Sequence, residues 1–198
     1  MVVEEFVGYE NLIAFMERKG LHNLTGDFVE IGAYMGGGTA KLAEYAGKYG
    51  KKVYAVDIFQ AERDDTMGKG GVKAGDVYQA FLKGRSMLEA YKQNTCTFDN
   101  IVTIIGDSRR VTFPSSQIFV FGFIDGCHQA SFVESDFRLL WGHMVSGGVV
   151  GLHDYKFEDW PEVTVAAGKI LSAFQAEIAE AEEIEAGYGI LSLMLTKK

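Results

Sequence analysis

Two short segments contain the residue types that perform acid–base or metal chemistry. Asp125-Gly-Cys-His128 follows one apolar run, and His153-Asp154 follows the next. Two carboxylates and one or two imidazoles could bind a divalent cation, which would lower the pKa of a bound hydroxyl group. Alternatively, His128 or His153 acts as a general base without a metal. The two segments therefore predict a reactive site, with both roles open.

A glycine-rich segment, Glu30-Ile-Gly-Ala-Tyr-Met-Gly-Gly-Gly38, separates an apolar run from a helical pattern. Glycines at such a turn let the backbone approach a ligand, and the N–H groups of the following helix point toward it. The dinucleotide pattern Gly-x-Gly-x-x-Gly fails, because Tyr34 stands where its second glycine would be. The wider spacing from Gly32 to Gly36 suits a ligand without a pyrophosphate.

Two further acids follow apolar runs. Asp57 stands where doubly wound sheets place the acid that accepts hydrogen bonds from ribose hydroxyls, so that Gly32 and Asp57 together favour a nucleoside ligand. In Gly106-Asp107-Ser108, the Asp107 carboxylate could accept a hydrogen bond from the amine of adenine. The same tripeptide is also ordinary turn composition.

The elements that position these residues follow from hydrophobic periodicity. The predicted strands are residues 27–32, 52–57, 101–105, 118–124, 148–153, 178–184 and 190–195. The predicted helices are residues 4–18, 39–49, 75–94, 132–144 and 163–174. Apolar strands that alternate with helices predict an α/β fold with a doubly wound, mostly parallel sheet between two helical layers. Ligands bind beyond the carboxyl ends of such strands, where the acids and histidines fall.

We expect a single domain over residues 1–198, with an N-terminal helix within 1–25 and a lid and helix insert over 60–100. The connection after Asp57 is too long for a simple crossover, and residues 62–75 are polar and rich in glycine. This segment is interpreted as an active-site lid, and a passive flexible loop is the alternative.

Composition excludes several classes of protein. Nineteen Lys and Arg against 27 Asp and Glu give a net charge of -8, which argues against nucleic acid or an anionic membrane as the main partner. No apolar run reaches the length of a membrane span, and the first residues have no signal-like pattern. The two cysteines suit a reducing cytoplasm. We therefore expect a cytoplasmic protein with a small-molecule substrate, and a homo-oligomer is left open.

The glycine-rich turn, Val56-Asp57, Gly106-Asp107-Ser108 and Phe123-Ile-Asp-Gly-Cys-His128 resemble the ordered motifs of class I S-adenosylmethionine-dependent methyltransferases. Residues 123–155 resemble the subgroup of macrolide sugar O-methyltransferases and cephalosporin-hydroxylase-like proteins. The resemblance extends over roughly residues 27–196. It implies a Rossmann-like sheet of seven strands whose final strand is antiparallel.

The resemblance also implies the cofactor and its contacts. Gly32 would lie against the methionine part of S-adenosylmethionine, with Glu30 and Gly36 shaping that pocket. Asp57 would hold the ribose, and Asp107 the adenine amine, with Ser108 beside it. The expected cofactor contacts are Glu30, Gly32, Tyr34, Gly36, Asp57, Ile58, Asp107, Ser108 and Asp125.

The implied reaction is O-methylation of a small hydroxylated molecule, with His128, Asp125 and His153 as catalytic residues. In metal-dependent relatives, an acid and an acidic pair bind magnesium, and the matching residues are Asp125, His153 and Asp154. Because His153 replaces an acid, the cation could be Mn²⁺ rather than Mg²⁺, or absent. The alternatives are a Rossmann-type NAD(P) oxidoreductase and a non-catalytic binding protein on the same scaffold.

Overall fold

The computed structural model describes residues 7–198, so the first part of the predicted N-terminal helix lies outside the described residues. In this range the strands are β1 (Asp27–Ile31), β2 (Val53–Asp57), β3 (Ile101–Ile105), β4 (Phe119–Ile124), β5 (Met144–Tyr155), β6 (Ile178–Glu185) and β7 (Leu191–Lys197). The helices are α1 (Tyr9–Lys19), α2 (Gly37–Gly47), α3 (Ala74–Leu82), α4 (Met87–Thr95), α5 (Ala130–Trp141) and α6 (Pro161–Ala173).

Within residues 7–198 the strands form one seven-stranded sheet in the order β3-β2-β1-β4-β5-β7-β6. The strands from β3 to β5 pair in parallel, and β7 pairs antiparallel with both β5 and β6. This confirms the predicted α/β fold and its antiparallel final strand. Because the order reverses between β1 and β4, a crevice is expected there at the carboxyl edge.

Two helical layers cover the sheet because successive strand residues face opposite sides. On one side, Phe28 and Phe121 pack with Leu12 of α1 and Leu42 of α2. On the other, the core of Val29 and its neighbours includes residues of α5 and α6. None of the helices described in residues 7–198 is both long and apolar enough to cross a bilayer.

The predicted helix over residues 75–94 was wrong as a single element. It is two helices, α3 and α4, because Lys83 and Gly84 have φ values of 52° and 78° and interrupt the helical backbone. Such left-handed values are unusual for lysine, so helical periodicity alone does not indicate the break.

Candidate active site

The parallel registers bring the predicted site residues to one edge of the sheet. Ile31 pairs with both Val56 and Ile124, and Ile124 pairs with Leu152. The residues that follow these strands therefore lie side by side. We call the ends of β1, β2 and β3 the β1–β3 half of the edge, and the ends of β4 and β5 the β4–β5 half.

The turn after β1 has an unusual backbone conformation and packs closely on its neighbours. Gly32 has a φ of 97°, and a Cβ atom there would lie 2.0 Å from the carbonyl oxygen of Asp125. Gly36 has a φ of 81°, and a Cβ atom would lie 2.9 Å from the ring of Tyr91. Tyr34 also adopts a positive φ, 48°, so the turn curls tightly around β1. Side chains are excluded at both glycines because the turn packs directly against the backbone after β4 and against α4.

Asp57 fastens this turn to the end of β2. Its Oδ2 accepts a hydrogen bond from the Tyr34 N–H at 2.8 Å, and its Oδ1 accepts one from the Phe59 N–H at 2.6 Å. Burial raises the pKa of the Asp57 carboxyl, although these backbone N–H groups oppose the shift. The backbone N–H groups of Ala33 and Ile58 also lower this pKa, so the carboxylate is held by the backbone on both sides of β2's end.

Glu30 lies deeper than expected for a residue that touches a cofactor. It has 0% exposed surface, and its two oxygens accept hydrogen bonds from the Tyr9 and Thr39 hydroxyls. Burial raises the pKa of Glu30 to about 7. Glu30 therefore links β1 to α1 and α2, and supports the turn from within the core.

The end of β3 contributes Asp107, but an arginine already holds it. Arg109 donates from Nε at 3.0 Å and from Nη2 at 2.7 Å, and this pairing lowers the pKa of Asp107 to about 2. Burial raises the pKa of the neighbouring Asp136 to about 7, and Ser108 opposes this shift. An open groove of about 650 Å³ runs past Ile58 and Asp107. Asp107 therefore lines a groove large enough for a ligand, and such a ligand would compete with Arg109 for the Asp107 carboxylate.

Acids and histidines converge in the β4–β5 half. His128 Nε2 lies 2.9 Å from Asp154 Oδ2, and His153 Nδ1 lies 3.0 Å from Asp125 Oδ1. One ligand atom from each of Asp125, His128 and Asp154 falls within 4.8 Å of the others. The geometry thus places His128 in the cation-sized group. His153 instead contacts the carboxylates of Asp125 and Asp154 from the side, its Nδ1 lying 3.2 Å from Asp154 Oδ2.

The charges of this half stabilise one another. Burial alone would lower the pKa of His153, but Asp125 and Asp154 outweigh it and raise the value to about 10. Burial would raise the pKa of Asp154, but the two histidines hold it below its usual range. Asp154 adopts a φ of 55°, a strained value for a residue other than glycine. Such strain is typical of a functional site.

Two residues of this half were missed by the sequence analysis. The Trp160 ring stacks on His128 at 4.6 Å between centroids, and Asp64 Oδ2 lies 3.8 Å from His128 Nδ1. Asp64 belongs to the glycine-rich insert, whose acids carry no strand-end signal. Trp160 precedes α6 and fits no periodic pattern. Cys127, beside His128, has its pKa raised by burial to about 11, which argues against a thiolate nucleophile.

Comparison with known proteins points to one family. A family model of a methyltransferase domain matches residues 29–155, more than half of the 198 residues. No curated protein matches the sequence. The matched range contains every residue predicted for the site.

Solved structures show a similar fold. The O-methyltransferase NovP is 20% identical with a TM-score of 0.68, over 96% of this chain and 79% of that one. The calicheamicin methyltransferase CalS11 is 16% identical with a TM-score of 0.66, over 93% and 77%. Magnesium protoporphyrin IX methyltransferase (ChlM) from Synechocystis PCC 6803, with bound SAM, is 13% identical with a TM-score of 0.60, over 96% and 78%.

Proposed function

The chain belongs to a family of methyltransferase domains, and we propose that it transfers a methyl group from S-adenosylmethionine to a hydroxyl group of a small molecule. The observation that carries the proposal is the coincidence of the family match with the site. The match ends at residue 155, one residue after Asp154, and so spans both halves of the strand-end edge.

The β1–β3 half fits the cofactor. Gly32 lets the turn after β1 lie against the backbone after β4 without a side chain between them, and Asp57 lies beside this turn with its carboxylate bonded to the Tyr34 N–H. In the proposed complex, Gly32, Tyr34 and Gly36 border the methionine part, Asp57 and Ile58 the ribose, and Asp107 and Ser108 the adenine. When bound, S-adenosylmethionine supplies an activated methyl group on a sulfonium centre. ChlM, a structural neighbour, is described with bound SAM, which supports this choice.

The β4–β5 half fits a divalent cation. Asp125, His128 and Asp154 would hold it, next to a cavity of about 10 Å³, roughly the space of one water molecule. Imidazole among the ligands favours Mn²⁺ over Mg²⁺. When bound, the cation lowers the pKa of a coordinated hydroxyl group. Without a cation, His128, oriented by Asp154, would take the hydroxyl proton itself.

The remaining residues position the reactants. Trp160 covers one face of His128 and limits the access of water to it. The acceptor is proposed to enter between Asp125 and the insert and to meet the methyl group at the border of the two halves. NovP is described as an O-methyltransferase and CalS11 as a TDP-rhamnose 3'-O-methyltransferase, which supports a sugar-like hydroxyl acceptor.

The test is methyl transfer from isotopically labelled S-adenosylmethionine to a panel of hydroxylated molecules that includes free and nucleotide-linked sugars. We expect labelled ether products from the wild type with Mn²⁺, and loss of most product from His128→Ala. Failure of the wild type to bind S-adenosylmethionine would contradict the proposal. Cofactor binding without transfer to any acceptor, together with tight binding of another protein, would favour the non-catalytic alternative.

A further inference from the structure

The two ring nitrogens of His128 differ in their surroundings. Nε2 contacts Asp154, whereas Nδ1 has no hydrogen-bond partner among the residues that the structure describes. The His128 side chain is only 4% exposed, so bulk water does not readily replace that partner. A buried ring nitrogen without a hydrogen-bond partner is unfavourable, which indicates that a partner completes the site in its working state.

The group that faces Nδ1 is the carboxylate of Asp64, which comes from the insert. Its Oδ2 lies 3.8 Å from Nδ1, within ion-pair range but too far for a hydrogen bond. Its Oδ1 accepts hydrogen bonds from the Thr66 N–H at 2.9 Å and from the Thr66 hydroxyl at 2.5 Å. The Thr66 turn therefore occupies one oxygen and leaves the other aimed at His128.

The backbone of the insert fixes Asp64 in this place. The Asp64 carbonyl accepts a hydrogen bond from the Gly75 N–H at 3.1 Å, and a Cβ atom on Gly75 would lie 2.5 Å from the Ala61 carbonyl oxygen. The Thr66 hydroxyl, in turn, lies 3.5 Å from Cys127 Sγ. The insert is thus folded on itself and in contact with the loop after β4 through Thr66 and Cys127.

From these contacts we infer that Asp64 is a positioning residue, delivered by the insert, that accepts the Nδ1–H of His128. An inward movement of about 1 Å brings Oδ2 to hydrogen-bond distance. With the proton on Nδ1, the lone pair of Nε2 faces the carboxylate of Asp154. Two acceptors 2.9 Å apart are satisfied by a proton or by a cation that both contact, and the cation gives the usual arrangement of a metal-bound histidine whose other nitrogen donates to an outer carboxylate. The inference rests on the cation site of the proposed function.

The experiment is calorimetric titration of Mn²⁺ into the wild type, Asp64→Ala, Asp64→Asn and Asp65→Asn. Asp65 is the matched control, because it is the neighbouring acid and its exposed side chain pairs with Lys73 instead. We expect both Asp64 variants to bind Mn²⁺ at least about tenfold more weakly than the wild type does, and Asp65→Asn to bind it within about twofold of the wild type. Asp64→Asn retains the size of the side chain, so lost packing does not explain a shared effect.

A second readout follows the insert itself. Its exposed Lys69 and Lys73 are sites for trypsin. Mn²⁺ should slow their cleavage in the wild type and in Asp65→Asn, but not in the Asp64 variants.

The inference is overturned if all four proteins bind Mn²⁺ alike, or if the wild type binds none. Titration of S-adenosylmethionine without Mn²⁺ tests the proposed cofactor separately, so its failure is distinguishable from failure of the Asp64 role.

Discussion

The two halves of the strand-end edge are built in different ways. The β1–β3 half consists mainly of backbone: a positive-φ glycine, a curled turn and an aspartate whose oxygens accept two backbone N–H groups. The β4–β5 half consists of side chains that arrive from β4, β5, the insert and the start of α6. A backbone site depends on a few residues of special conformation, whereas a side-chain site depends on charges that compensate one another.

The largest effect on stability and cofactor binding is expected in the β1–β3 half, from Gly32→Ala. The added Cβ atom would meet the Asp125 carbonyl, and alanine is strained at this φ. Together these costs should lower the free energy of unfolding by about 3 kcal/mol or more and abolish S-adenosylmethionine binding. Thermal unfolding and calorimetry measure both quantities.

Gly70→Ala is the control for this substitution, because a Cβ atom there meets no atom within 4 Å. It should behave as the wild type does. If Gly32→Ala also folds and binds normally, the backbone account of the β1–β3 half is wrong.

The next largest effect, on cation binding, is expected in the β4–β5 half, from His128→Ala. Loss of a ligand should weaken Mn²⁺ binding by about 100-fold or more. It also removes the imidazole that stabilises the negative charge of Asp154. S-adenosylmethionine affinity should stay within about twofold, because His128 is outside the β1–β3 half. His143→Ala, whose imidazole contacts the Gln117 carbonyl elsewhere, serves as control. An equal loss of both affinities would show that the halves are not separate.

A smaller effect, on the pH dependence of stability, is expected from Glu30, the buried carboxyl beneath the β1–β3 half. Its pKa in the folded state is about 7, above the usual 4.5, so the folded protein binds more protons between these values. Stability contributed by the protonated carboxyl is therefore lost as pH rises from about 4.5 to 7. Glu30→Gln should reduce this decline by on the order of 1 to 2 kcal/mol.

Denaturant unfolding between pH 5 and 8 measures the difference. The exposed Glu44→Gln, on α2, is the matched control and should leave the decline unchanged. An identical pH profile for Glu30→Gln and the wild type would refute the role assigned to burial of Glu30.

In both halves, the sequence predicts the residues at strand ends better than the neighbours that reach them in space, for a physical reason. Gly32 and Asp57 directly follow apolar strands, and the position of a strand end is readable from periodicity. Asp64 and Trp160 reach His128 through tertiary packing of irregular segments, which has no periodic signal. The pairing of Asp107 with Arg109 and the burial of Glu30 likewise depend on neighbours in space.

The proposed role of Asp57 is to hold S-adenosylmethionine in the β1–β3 half. Calorimetric titration of S-adenosylmethionine into the wild type, Asp57→Ala and the exposed control Asp65→Ala tests it most directly. We expect saturable binding by the wild type and the control, and affinity at least about tenfold weaker for Asp57→Ala, which loses its charged acceptors. Absence of binding by the wild type, or equal binding by all three proteins, would rule this role of Asp57 out.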